Sequence, residues 1–498
     1  MIHKWKNHTC HKRGIIAIDF IFNRFYFVLR EVNFMKSNNL LQGFLIIFCA
    51  AAMVLAEEWI TYDDTMPLEK VPSWTASDTI SPKVAESFLK NDALDGEEVW
   101  DSSNEAKPIQ KVNSTGLDRF YASLDRIKSR KGKTRIAYFG DSMIEGDLIT
   151  QSLRNDLQEL FGGQGVGFVP ITSQTYGFRK TIRHRFSGDW KHYNFLTPNP
   201  TKHNFGISGE LFLTSSPDTE APGKTWVQYW GENTYPTTEE FNRIVLFYGR
   251  NTGGNTNDNY VTVTTPHGEE TFNLDEDGVV NQLLISETPT DEVKFNFHIP
   301  SNLPVYGISF EDKNGVYVDN FSSRGNSGMN LTKIPSATLQ AFDKNLKYDL
   351  VVLQFGLNVI MPGKTNYKFY ERGMKRVVKH FQENMPNADI LVVSVGDKST
   401  SINGVRQTDP AVPLIVEAQR RVAEEMGTGF LNLYAGMGGR NSMVKWVNSD
   451  PALARKDYTH PNRLGAEAVA NIVKEFLLKE YPAITWEGDE LEGGMSWR

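Results

Sequence analysis

The feature that most constrains this chain is a repeated pairing of a short, wholly apolar run with a helix-spaced apolar face. Ile136-Ala137-Tyr138-Phe139 leads through Gly140-Asp141-Ser142 to Ile149, Leu153, Leu157 and Leu160. Leu350 to Leu353 precedes Tyr370, Met374, Val377, Val378 and Phe381, and Ile390 to Val393 precedes Leu414, Ile415, Ala418 and Val422. Val316 to Asp319 and Phe430 to Leu433 add further strands, and Val469, Ile472, Val473, Phe476 and Leu477 mark a last helix. Apolar strands alternating with amphipathic helices predict an α/β domain whose parallel sheet is covered on both faces.

From about residue 166 to 315 the rhythm changes. Alternating or β-branched segments, such as Ile244 to Tyr248, Tyr260 to Thr265 and Val293 to Phe297, are separated by turn-rich stretches at Asn251 to Asn259 and Asp275 to Gly278. A sheet cannot be completed by residues 116–165 alone, and the α/β pattern resumes after 315. The expectation is therefore a β-sandwich at 166–315 inserted into an α/β domain built from 116–165 and 316–485. Residues 57–115 read as a polar lead-in and 486–498 as a polar tail.

The amino-terminal region reads as an address. From Met35 come Lys36, the apolar run Phe44 to Leu55 and the small residue Ala56 before Glu57, the layout of a Sec signal peptide over residues 35–56. The run is short for a bilayer, so no stable membrane span is expected in the mature form, and the expected location is periplasmic, secreted or cell-envelope. Residues 1–34 fit this layout poorly and read as a non-native extension, with translation starting at Met35. Both cysteines, Cys10 and Cys49, precede the expected cut, which leaves no thiol for a disulfide, a nucleophile or a metal. A net charge of −7 without any basic stripe argues against nucleic acid as a partner.

Four polar loops fall where carboxyl ends of strands are expected: Gly140-Asp141-Ser142, Arg324 to Gly328, Gly356-Leu357-Asn358, and Asp457 to His460 before the last helix. Singly, each has a bland reading as a cap or turn. Together they converge, because ligands of open α/β sheets bind at that edge. A serine hydroxyl displayed there needs a base, and histidine is the side chain suited to accept its proton near neutrality.

In this combination the chain resembles the SGNH/GDSL hydrolase superfamily. The resemblance covers residues 117–165 and 316–481. It implies a flavodoxin-like three-layer sandwich, with Ser142 as nucleophile and His460, oriented by Asp457, as base. It also implies an oxyanion hole from the Ser142 N–H, the Gly328 N–H and the Asn358 amide. Met143 and Val359 depart from residues common in the family without removing a catalytic atom.

A large β-insertion after the first block, together with an export signal, is similar to exported bacterial peptidoglycan and carbohydrate O-acetylesterases, whose insertion is carbohydrate-binding-like. This implies an acetylated glycan or another ester as substrate. Trp226 and Trp230, clustered with Tyr229 and Tyr235, are candidate sugar-stacking residues, or else sandwich core. An acetyltransferase or lipase using the same triad, and a non-catalytic glycan-binding surface protein, are the alternatives.

No cofactor or metal is expected. His184 and His192 lack metal-ligand spacing, and Gly162-Gly163-Gln164-Gly165 lacks the Lys and Ser/Thr of a phosphate loop. Asp397 and Lys398 follow a strand end, as cleft lining or as a solvated turn.

Overall fold

The structure, a computed structural model, describes residues 116–128, 131–214, 224–251, 259–299, 302–479 and 481. The expected extension, signal peptide, lead-in and tail all lie outside the described residues. Among the described residues no helix is long and apolar enough to cross a membrane.

Helix α1 (Asp118–Lys128) is followed by β1 (Lys133–Gly140), a 3-10 turn at Ser142–Asp147, and α2 (Thr150–Phe161). The chain then leaves the parallel sheet. Strands β2 (Gly167–Val169), β3 (Ile182–Phe186), β4 (Trp190–Asn194), β5 (Glu210–Thr214), β6 (Thr225–Gly231) and β7 (Arg243–Gly249) come first. After them come β8 (Tyr260–Thr265), β9 (Gly268–Asn273), β10 (Val280–Ser286), β11 (Glu292–His298) and β12 (Val305–Glu311). The α/β part resumes with β13 (Gly315–Ser322), α3 (Ser336–Leu346), β14 (Leu350–Gln354), α4 (Lys368–Asn384) and β15 (Asp389–Val393). A hairpin β16 (Ser399–Ile402) and β17 (Val405–Thr408), then α5 (Ala411–Met426), β18 (Gly429–Leu431) and α6 (Arg463–Lys479) complete it.

The α/β part holds one five-stranded sheet in the order β13-β1-β14-β15-β18, and each of its pairings is parallel. Counted within this sheet alone, that is the flavodoxin-like 2-1-3-4-5 order, whose switch point lies between β1 and β14. Alternate residues feed two cores. Ile136, Tyr138, Val318 and Val352 pack with α1, α2 and α6, whereas Ala137, Phe139, Phe321 and Leu353 pack with α3, α4 and α5.

The insertion contains two antiparallel sheets, β10-β7-β12-β5-β4 with β2 alongside β12, and β3-β6-β11-β8-β9. Strand β7 shows how it is anchored. Ile244, Leu246 and Tyr248 enter the core between the two sheets, while Val245 and Phe247 join the same cluster as Phe342 of α3. The insertion thus shares hydrophobic core with the domain that it interrupts.

Two local expectations are corrected. Leu160 does not face the core: it is 55% exposed, and Phe161 takes the buried position beside Leu153 and Leu157. Strand β18 ends at Leu431, because Asn432 caps a short helical turn at Leu433–Gly436.

Candidate active site

Strand β1 ends at Gly140, paired with Gln354 of β14 on one side and Ser322 of β13 on the other. Ser142 is therefore delivered to the carboxyl edge of the sheet beside its switch point. It does not open an α-helix directly. It starts the 3-10 turn, which is broken by left-handed Gly146 and Asp147 before α2 begins. As first residue of that turn, its N–H belongs to the donors that a helical start leaves without an intrahelical acceptor.

The expected base comes from the loop before α6. His460 Nε2 lies 2.9 Å from Ser142 Oγ, and His460 Nδ1 lies 2.8 Å from Asp457 Oδ2. Asp457 Oδ1 meanwhile accepts the backbone N–H groups of Thr459 (2.9 Å) and His460 (3.0 Å). Burial would raise this carboxyl, but the hydrogen bonds from the His460 ring and the two amides outweigh it and hold Asp457 down at about 2. The carboxylate is thus ionised at any ordinary pH and fixes which ring nitrogen faces the serine.

The loop itself is pinned. Tyr458 adopts a left-handed conformation at φ 57°, its carbonyl accepts from Ser399 N at 2.9 Å, and the Arg406 guanidinium lies 4.6 Å from the centre of its ring. Hairpin β16–β17 therefore supports the turn that lets Asp457 and His460 face one another, a role with no sequence signal of its own. Asp397, just before the hairpin, neither lines the cleft nor is solvated. It is fully buried, and its Oδ2 accepts from Met443 N at 2.8 Å.

The loops after β13 and β14 meet beside Ser142. Asn358 Nδ2 donates to Asp141 Oδ2 (2.8 Å) and to the Asn326 carbonyl (3.1 Å), and Gly328 N donates to Asn326 Oδ1 (2.9 Å). Gly328 sits at φ 90°, where a Cβ would come within 2.9 Å of the Phe355 ring and the Met374 sulfur. Only glycine fits there. Two of the donors expected to line an oxyanion hole, the Gly328 N–H and the Asn358 amide, thus meet at Asn326, each with a protein acceptor here.

Asp141 and Asn326, which lie within the motifs and carry no role there, are linkers. Asp141 is 1% exposed. Burial pushes its carboxyl up to about 6, against the opposing bonds from Met143 N and the Asn358 amide.

Trp226 and Trp230 lie elsewhere. Along β6, Thr225, Val227 and Tyr229 are buried, whereas Trp226, Gln228 and Trp230 are half-buried on the opposite face. The reading of the two tryptophans as sandwich core is therefore overturned; Tyr229 takes that place, stacked on His184 at 4.5 Å. Lys294 lies 5.1 Å from the centre of the Trp226 ring.

Residues 302–468 match the family model of the GDSL-like lipases/acylhydrolases, a span that contains Gly328, Asn358, Asp457 and His460 but not Ser142, which precedes the insertion. No curated protein sequence matches. Among solved structures, the chain is similar to a peptidoglycan O-acetylesterase at 21% identity and a TM-score of 0.59, covering 74% of this chain and 98% of that one. A family two carbohydrate esterase from Cellvibrio japonicus matches at 10% identity and a TM-score of 0.24, covering 60% of this chain and 98% of that one. The 0.59 match extends over both the parallel sheet and the interrupting β-region, and so shows a common fold. The second part of the parallel-sheet domain thus matches the GDSL-like lipase/acylhydrolase family over residues 302–468, and the chain shares its fold with an esterase.

Proposed function

We propose that Ser142, His460 and Asp457 form a catalytic triad that removes acetyl groups from an O-acetylated glycan, peptidoglycan being the leading candidate, in an enzyme exported by residues 35–56. The observation that carries this reading is the unbroken hydrogen-bond chain from Asp457 through His460 to Ser142 at the sheet's switch point.

The steps follow from those contacts. As Ser142 Oγ bonds to the acetyl carbonyl carbon, its proton passes to His460 Nε2. Asp457 stabilises the resulting imidazolium. The carbonyl oxygen becomes an oxyanion, received by the N–H groups of Ser142 and Gly328 and by the Asn358 amide, which turn to it from Asn326 and Asp141. Collapse breaks the bond to the sugar oxygen, which takes the proton from Nε2 and leaves as a hydroxyl. Water then attacks acetyl-Ser142 as its proton passes to Nε2; when the bond to Oγ breaks, Nε2 returns that proton to Oγ and acetate leaves.

The deciding experiment is acetate release from acetylated glycans by the wild type and by Ser142→Ala. Loss of activity by roughly 10⁶-fold, with an unchanged melting temperature, is the expected result. Equal rates would overturn the assignment. Transfer of acetyl to an added sugar acceptor in place of acetate release would make the enzyme a transferase.

A further inference from the structure

A cavity of about 140 Å³ opens between the insertion and the reacting edge of the α/β domain. Neither Ser142 nor His460 lines it, but its wall includes Glu145, in the same 3-10 turn as Ser142, and Arg324, in the same loop as Gly328. The opposite wall comes from β4 and β5 and the turn before β5, with His192, Asn194, Ser208 and Glu210. The cavity is thus built by both parts of the chain, next to the nucleophile's own turn.

Its size and chemistry narrow the occupant. A cavity of about 150 Å³ admits one six-membered ring, as an engineered cavity that binds benzene illustrates. Each cation in the lining already faces a carboxylate: Arg324 with Glu145 at 2.7 Å, His192 with Glu210 at 2.9 Å, and Arg179 with Asp147 at 3.3 Å. An anionic ligand would have to break one of those pairs. An acyl chain fits no better, because it would lie against polar lining side chains, Thr172, Ser173, Asn194 and Asn320 among them, and would give them no hydrogen bond. A neutral ring carrying hydroxyl groups satisfies both conditions.

We propose that this cavity is a subsite for one neutral sugar ring of the substrate, adjacent to the ring that bears the ester. The assignment rests on the glycan-ester reading and adds to it where the neighbouring residue of the chain is held. His192, which the sequence left without a role, becomes part of that subsite with its partner Glu210.

The test compares wild type, Ser208→Ala, Ser208→Leu and Gln174→Trp, the last placing a ring at an exposed position on the cavity's rim. The substrates are an aryl acetate, an acetylated monosaccharide and acetylated di- and trisaccharides. Wild type should gain about tenfold in kcat/KM from monosaccharide to disaccharide, the equivalent of one or two added hydrogen bonds. Ser208→Leu and Gln174→Trp should lose that gain through KM, and Ser208→Ala, which fills no cavity space, should keep it, all with aryl acetate turnover unchanged. A gain that survives both Ser208→Leu and Gln174→Trp would overturn the subsite and leave the glycan-ester reading intact. A wild type that hydrolyses the aryl acetate but no acetylated saccharide would overturn that reading, and the subsite with it.

Discussion

The two ends of β1 carry charge in opposite ways. Past its carboxyl end, the Asp457 side chain is 44% exposed and the His460 ring 20%, so water reaches the groups to which the proposed mechanism gives proton exchange. Within the strand, Arg135 is fully buried between Asp319 at 0% and Glu311 at 3% exposure. Its guanidinium donates to both oxygens of Asp319, at 3.0 and 2.8 Å, and to Glu311. Asp319 also accepts from Tyr348 Oη (2.7 Å) and from Phe168 N of β2 (2.9 Å). This second network ties β1 and β13 to β2 and β12 of the insertion, and nothing in it is placed to move a proton to a ligand. Similar residue types are therefore set apart: the accessible pair is the one proposed for chemistry, and the inaccessible one fixes how the insertion is seated.

The sharpest way to break this contrast is Asp457→Asn. The amide would offer its N–H groups where the His460 ring needs an acceptor, and kcat on a small acetyl ester should fall roughly 10⁴-fold while the melting temperature barely changes. A variant that loses stability and keeps its rate would place Asp457 with the structural charges.

Glu311→Gln should do the reverse. It leaves Arg135 buried with one partner fewer, at a cost of about 3–5 kcal/mol, with kcat per folded molecule unchanged. Acid provides a second reading. Burial would raise the Glu311 carboxyl, but Arg135 and Lys133 outweigh it and hold it at about 2, below its ordinary 4.5. Its stabilising contribution is therefore complete above about pH 4.5 and is lost as the pH falls toward 2. Melting curves across that window should slope less steeply for Glu311→Gln than for the wild type; equal slopes would refute the account.

Asn358→Ala should lower kcat about 100-fold and leave KM nearly unchanged, since its amide acts on charge that develops only in the transition state. An unchanged kcat would reduce Asn358 to a spacer between Asp141 and Asn326.

The smallest effect belongs to the outer face of β6. Trp226→Ala and Trp230→Ala should melt normally and hydrolyse a small ester at the wild-type rate, while binding of polymeric glycan weakens several-fold through lost stacking. A clear drop in melting temperature would mean that these rings support the sheet and not a ligand.

The α/β part was legible because its strands are buried on both faces, so that β1, β14 and β15 read as unbroken apolar runs and their loops could be placed at one edge. The β-region was legible only as a change of rhythm. Alternation along β6 separates Trp226 and Trp230 from Val227 and Tyr229, but it cannot say which set faces the core. Pairings across long separations left no trace either. Asp141 with Asn358, Arg135 with Glu311, and Ser399 with Tyr458 each join segments whose local sequence is that of an ordinary turn or strand. Leu160 misled because an apolar residue at a plausible helical spacing carries no mark of the neighbouring Phe161 taking its place.

The register of β1 against β13 has a consequence for assembly. Lys133 pairs with Gly315, and the two strands are neighbours in the sheet although the whole insertion separates them in the chain. Joining them from an unstructured chain closes a loop of about 180 residues, at an entropic cost of about 4–5 kcal/mol on logarithmic scaling. Prior collapse of strands β2 to β12 shortens the free chain about fivefold and lowers that cost by about 1.5 kcal/mol. Strand β1 thus meets its edge neighbour most readily once the interrupting region has folded, so the β-region works as a splint for the domain around it.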